Sequence, residues 1–208
     1  MQVLFDIKNW NRRKTYEYFK TFDSPTFNIC LNLDITELYN KCITGKYKFN
    51  HILQYCALKA LNEIQEFRLR ISDDNVVLFD KIDGGTVLML DDHSIRFCFY
   101  EFSDSFSLFQ ENALLSEASV KESLDTDPRS DNLNIIHFSV IPWFAFTSVS
   151  HAQKGKENNS IPKIVFGQFS KLSDQWLIPL SIDANHALMD AWHVNQFIIK
   201  FQESVLSF

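Results

Sequence analysis

Glycine and proline are scarce, five of each in 208 residues. Without a Pro/Gly-rich linker, an internal repeat or a low-complexity segment, nothing marks a division, and one domain over residues 1–208 is expected. The four cysteines, Cys30, Cys42, Cys56 and Cys98, form no C-x-x-C pair and show no short repeated spacing. They read as small buried hydrophobes in a reducing compartment, not as staples or zinc ligands. No apolar run approaches the roughly 20 residues of a membrane helix. The opening "MQVLFDIKNWNRRK" also lacks the basic-then-apolar layout of a secretion signal. A cytoplasmic protein with no membrane partner is expected. Basic charge is short as well: the formal net charge is -6 and the sequence pI is about 5.5. That argues against non-specific nucleic-acid binding, which depends on Lys and Arg neutralising phosphates.

What is abundant is phenylalanine, twenty residues of it. Phe carries a large apolar area and no polar handle, so the excess points to a thick core, with some rings at a pocket or subunit interface. With 46% hydrophobic and 22% charged residues the chain can bury a full core.

"TFNICLNLDIT" (26–36) alternates Phe27, Ile29, Leu31, Leu33 and Ile35, the period of a strand with one buried face. It leads into Asp34 with Glu37 three residues on, the spacing of a helix cap. Residues 49–64 place Phe49, Ile52, Leu53, Cys56, Ala57, Leu61 and Ile64 on one helical stripe. Strands are predicted at 67–71, 76–80, 86–90, 95–101, 134–141, 144–151, 162–169 and 174–184, with helices near 106–118 and at 192–206. A polar loop is expected at 125–132 and a solvated turn at 154–160. Strands and helices interleave without regular βαβ units, so the expected fold is α/β (α+β), a mixed β-sheet covered by helices.

The chemistry concentrates in "SIDANHALMDAWHVNQFI" (181–198), where His186, Asp190 and His193 fall at a strand–helix junction. Three readings are open. The group could ligate a metal as H-x3-D-x2-H, although Ala187 stands where H-E-x-x-H would carry its glutamate and no fourth ligand is evident. It could be structural, with Asp190 capping the last helix for about 0.5–2 kcal/mol. Or His186 could be a general base, since imidazole has an unperturbed pKa of about 6.5.

H-x-x-x-D at a strand end, together with "DIKNWNRRKTYEYF", "LDIT", "KFNHILQYCALKALNEIQEFRLRI" and "IPWFAFTSV" in order, resembles the chloramphenicol acetyltransferase family of CoA-dependent acyltransferases. The likeness spans essentially the whole chain. It implies a homotrimer with active sites at subunit interfaces, acetyl-CoA as co-substrate, no metal, a small-molecule acceptor and a role in antibiotic resistance. His186 would be the general base, its ring held partly by its own backbone carbonyl. Asp190 would form a bidentate, partly buried pair with Arg12, or with Arg13 if the register slips by one, and so fix the loop bearing His186. His193 would be structural. Tyr18, Phe19, Phe27, Phe138 and Phe144 are implied liners of an acceptor pocket.

The chain also departs from that pattern. Asn185 replaces the first of two histidines, and Ala191 stands where Gly is usual, a change that matters only if positive φ is needed. Ala145 stands where the resemblance implies a Ser donating to the oxyanion, a loss commonly worth about 2.7–4 kcal/mol. Val165 replaces a Thr, and Thr147, two residues along a strand from Ala145, would face the same side and substitute. Asp23 and Pro25 occupy positions where the family is apolar, and a carboxylate there is costly unless solvated or paired. A different acceptor is therefore expected, or a trimer that binds CoA and ligand with little turnover.

Overall fold

The computed structural model describes residues 1–43, 47–73, 75–123, 126, 132–152 and 160–208. Its strands are β1 Gln2–Leu4, β2 Thr26–Asp34, β3 Leu69–Ser72, β4 Asn75–Phe79, β5 Asp83–Met89, β6 Ile95–Tyr100, β7 Ile135–Val140, β8 Lys163–Phe166, β9 Ser170–Leu172 and β10 Gln175–Asn185. The α-helices are α1 Arg13–Phe19, α2 Thr36–Ile43, α3 Phe49–Asn62, α4 Phe106–Glu122 and α5 Ala191–Ser207. The main sheet runs β2-β10-β8-β7-β5-β6, with β9 added beside β10; a small sheet runs β1-β4-β3. β7 lies parallel to both β5 and β8, and the other pairs are antiparallel, so the sheet is mixed.

Period-two patterning places the sheet's inner face. Phe27, Ile29, Leu31 and Leu33 of β2 join Ile178, Leu180, Ile182 and Ala184 of β10 in one core. α3, α4 and α5 close that core with Ile52, Leu53, Leu61, Phe109, Phe197 and Phe201. Fully burying a side chain of this size stabilises by about 1.5–3 kcal/mol over leaving it exposed. α3 is buried on more than one stripe because α5 packs on it as well as the sheet. All four cysteines are free thiols, and burial pushes Cys56 up to about 11.

Three expectations change. Residues 144–151 do not form a strand. Phe146 packs this irregular segment on the end of β8, where a Cβ at Gly167 would meet its ring at 3.0 Å. Phe144 is exposed and ties in through its carbonyl, which accepts from the Gln168 N–H at 3.1 Å. The strand predicted at 162–169 stops at Phe166, because the next partner across the ladder is Pro179. Gly167 still donates to the Pro179 carbonyl (2.8 Å), but proline has no N–H to return. Residues 65–68 form a 3-10 turn ahead of β3. At the start of α2, Asp34 accepts from the Thr36 N–H (2.9 Å) and hydroxyl (2.6 Å). The loop expected at 125–132 and the turn at 154–160 lie almost wholly outside the described residues.

β10 positions the site. It is the long strand beside β2, buried on both faces over its second half, and it delivers the chain to residues 186–190 before α5 begins.

Candidate active site

The turn after β10 is built by Asn185. Its side-chain Oδ1 accepts from the Ala187 N–H (2.9 Å), and its carbonyl accepts from Leu188 and Met189 (3.0 Å each). Ala187 and Leu188 pack with Trp10, Tyr16, Leu69 and Val76, while Met189 enters the main core. His186 is thus carried on a turn anchored from two sides, and its N–H donates to the Pro25 carbonyl at 2.8 Å. Ala191 needs no positive φ: among the described non-glycine residues only Asp73, His93 and Ser173 have one.

The His186 ring is walled by two phenylalanines. Phe19 stacks on it with centroids 4.0 Å apart and 7° between planes, and Phe27 sits at 4.9 Å and 50°. Tyr18 lies beside Phe19 but is 62% exposed. Of the two ring nitrogens Nδ1 is the buried one, and it has no hydrogen-bond partner among the described residues.

Arg12, not the exposed Arg13, meets Asp190. The guanidinium does not fork onto both carboxylate oxygens, as a bidentate pair would. Nη1 contacts Asp190 Oδ2, and Nη2 donates to the His186 backbone carbonyl at 3.3 Å. That carbonyl is therefore engaged by Arg12. Asp190 Oδ1 caps α5 by accepting from the Trp192 N–H (3.0 Å). Burial acts to raise the Asp190 pKa, but Arg12 and the cap outweigh it and hold the carboxyl below its ordinary range. His193 closes the capping box, its Nδ1 accepting from the Asp190 N–H at 3.1 Å.

These partners commit two of the three residues of the metal reading. Asp190 is committed to Arg12 and Trp192, and His193 to the Asp190 backbone. Among the described residues no group of three or more His, Cys, Asp or Glu side chains comes together as a coordination site.

The other expected residues lie elsewhere in the chain. Val165 is fully buried on β8 and pairs with Ser181, five residues before His186 on β10, roughly 17 Å away at about 3.3 Å per residue. Ala145 and Thr147 are exposed on the irregular segment, so strand alternation does not place them on a common side. Ser148, also exposed there, is a hydroxyl that sequence alignment by alternation passes over. Phe138 is not a pocket liner: it is buried in the core, near-parallel to Phe166 (8°). Phe144 is 56% exposed on the same segment as Ala145. Asp23 is exposed, which removes the desolvation cost within one chain. Sequence reasoning missed Asn185 as the turn former and His193 as the third-position partner of a capping box; both were readable as local i,i+2 and i,i+3 spacings.

A second feature adjoins the irregular segment. A cavity of about 660 Å³ is lined by Phe49, Tyr100, Glu117, Pro142, Trp143 and Phe169, among others. Glu117 at its wall accepts from the Tyr100 hydroxyl (2.6 Å) and Lys48 Nζ (2.7 Å), and lies 2.8 Å from His51 Nε2. Burial opposes its charge, yet these donors pull its pKa down to about 2. Burial together with Glu117 pushes Tyr100 up.

A sequence model of the family described as "Chloramphenicol acetyltransferase" matches residues 2–202. Chloramphenicol acetyltransferase 3 of Escherichia coli is 28% identical over 207 residues, covering 96% of this chain and 94% of that one. The chloramphenicol acetyltransferase of Clostridium butyricum is 26% identical, covering 99% and 95%. A solved chloramphenicol acetyltransferase superposes with a TM-score of 0.90 at 24% identity, covering 99% and 100% of the two chains. The dihydrolipoamide acetyltransferase of Azotobacter vinelandii shares the fold, with a TM-score of 0.66 at 12% identity over 93% and 86%. With a match over nearly its full length and a mixed sheet of the same architecture, the chain belongs to the chloramphenicol acetyltransferase family of CoA-dependent acetyltransferases.

Proposed function

We propose that the protein moves acetyl from acetyl-CoA to a hydroxyl of a small-molecule acceptor, with His186 as general base, at a site completed by a second copy in a homotrimer. The observation that carries this reading is His186 held between Phe19 and Phe27 on a turn tied down by Arg12 and Asp190. Such restraint suits a base that must meet its proton in one geometry.

The unburied nitrogen of His186 takes the acceptor's hydroxyl proton while the oxygen attacks the thioester carbonyl. The tetrahedral oxyanion then collapses, expels the CoA thiolate, and the imidazolium returns the proton to sulfur. A donor for the oxyanion would come from the irregular segment, where Thr147 and Ser148 supply hydroxyls although Ala145 does not. That segment begins at the wall of the 660 Å³ cavity, which suits the slender arm of CoA.

The roughly 17 Å between His186 and the level of Val165 supports a shared site. Within one chain the irregular segment, bonded at Gln168 beyond Val165, lies as far from His186 or farther, whereas a neighbouring copy can bring its exposed segment to the first copy's His186. A thiol-release assay with acetyl-CoA tests the reading, with chloramphenicol and a panel of alcohols and amines as acceptors. Turnover is expected with at least one of them, and the exposed Asp23 favours an acceptor more polar than chloramphenicol.

The absence of hydroxyls at Ala145 and Val165 favours a second reading, a trimer that binds CoA and a ligand without turnover. Calorimetry showing CoA binding with no thiol release across the panel supports that reading and contradicts the first.

A further inference from the structure

Behind the Arg12–Asp190 pair stand two residues that the resemblance leaves without a role in the site. His193 lies in the first turn of α5 and is almost fully buried. Its Nδ1 accepts from the Asp190 backbone N–H at 3.1 Å, so that nitrogen carries no proton and the ring proton sits on Nε2. Nε2 faces Glu66 Oε1 at 3.7 Å. This is longer than a formed hydrogen bond, but close enough for the carboxylate's charge to favour a proton on that nitrogen. Glu66 comes from the 3-10 turn Gln65–Arg68 ahead of β3, far from α5 in sequence.

The Asp190 N–H and the Glu66 carboxylate therefore select the same tautomer. The opposite tautomer would set N–H against N–H at Asp190. Its proton would gain Asp190 Oδ1, 3.0 Å away, but at the loss of the Asp190 N–H bond and of the proton facing Glu66. Glu66 keeps its charge: burial acts against it, but His193 and Arg12 outweigh burial and leave its pKa below the ordinary value.

Resting on the general-base reading of His186, we infer that Glu66 and His193 are positioning residues for that base. Glu66 fixes the His193 tautomer, and His193 fixes the Asp190 backbone at the head of α5. Asp190 then presents Oδ2 to Arg12, and Arg12 holds the His186 carbonyl. None of the four touches the reacting atoms.

The test combines a tautomer readout with kinetics. In protein labelled with 15N-histidine, His193 is expected as the Nε2–H form, becoming a mixture in Glu66→Ala. A wild-type Nδ1–H form, or no change in Glu66→Ala, overturns the inference. His193→Leu is expected to lower kcat roughly ten- to a hundredfold at unchanged KM for acetyl-CoA. His193→Gln is expected to restore it, because Gln at the third helical position also closes a capping box. Equal losses in both variants, or none in either, overturn it. If no acceptor turns over at all, the general-base reading fails alone and amide exchange decides the positioning claim. Leu188 and Met189 should then exchange faster in His193→Leu and at the wild-type rate in His193→Gln, and any other pattern contradicts it.

Discussion

The His186 imidazole lies face to face with the Phe19 ring, centroids 4.0 Å apart and planes within 7°. α1 and the turn after β10 are distant in sequence, and this stack joins them at the residue proposed to carry the proton. Apolar faces on the ring restrict its rotation without adding a charge beside it. The stack is therefore a restraint on geometry.

Phe19→Ala removes that restraint and opens space beside the ring. The expected result is a fall in kcat of roughly tenfold or more with folding retained, since loosening a base by about 1 Å costs on that scale. Phe19→Tyr, which keeps the ring, should stay near wild type. Steady-state thiol release and a thermal melt on each variant check this.

Asp190 has two separable duties, capping α5 and pairing with Arg12. Asn caps helices as well as Asp does but carries no charge. Asp190→Asn should therefore be more stable than Asp190→Ala by about 1 kcal/mol, while both lose activity through the freed His186 carbonyl. Urea melts and kcat on the pair of variants separate the two effects. Equal stability would show that the cap contributes nothing.

Glu117 sets a pH dependence of stability. Its folded pKa, about 2, lies below the unfolded value near 4.5. The folded state thus binds fewer protons, so the contribution is complete above about pH 4.5 and disappears as pH falls through about 2. Glu117→Gln should be less stable at pH 7 by roughly 2–3 kcal/mol. That deficit should shrink steadily between about pH 4.5 and 2, as followed by urea unfolding across that range. A pH-independent gap would contradict the assignment.

The irregular segment after β7 should supply the oxyanion donor. Replacing Thr147 and Ser148 together by Ala is expected to lower kcat by about 10²–10³ with little change in CoA affinity. Ala145→Ser should have a small effect if one of those hydroxyls already serves. A large gain in Ala145→Ser would instead mark the native site as impaired.

Much of the fold was legible because periodicity maps directly onto burial. β2 shows its inner face through Phe27, Ile29, Leu31 and Leu33, and α3 and the strand feeding His186 were readable in the same way. The strand expected at 144–151 failed because its alternating rings share no buried face: Phe146 packs a coil against Gly167 while Phe144 is exposed. The shortened β8 depends on Pro179 across the ladder, which no local window contains. The approach of Arg12 to Asp190 joins residues 178 apart, and only the family resemblance suggested it. The placement of Phe138 in the core was hidden because a buried Phe and a pocket Phe read alike in one sequence.

General-base catalysis by His186 is tested most directly by thiol release from acetyl-CoA in wild type and His186→Ala, with CoA binding measured in parallel by calorimetry. Loss of the base should lower kcat by about 10²–10⁴ while CoA affinity stays unchanged. Turnover that survives undiminished in His186→Ala would contradict the mechanism.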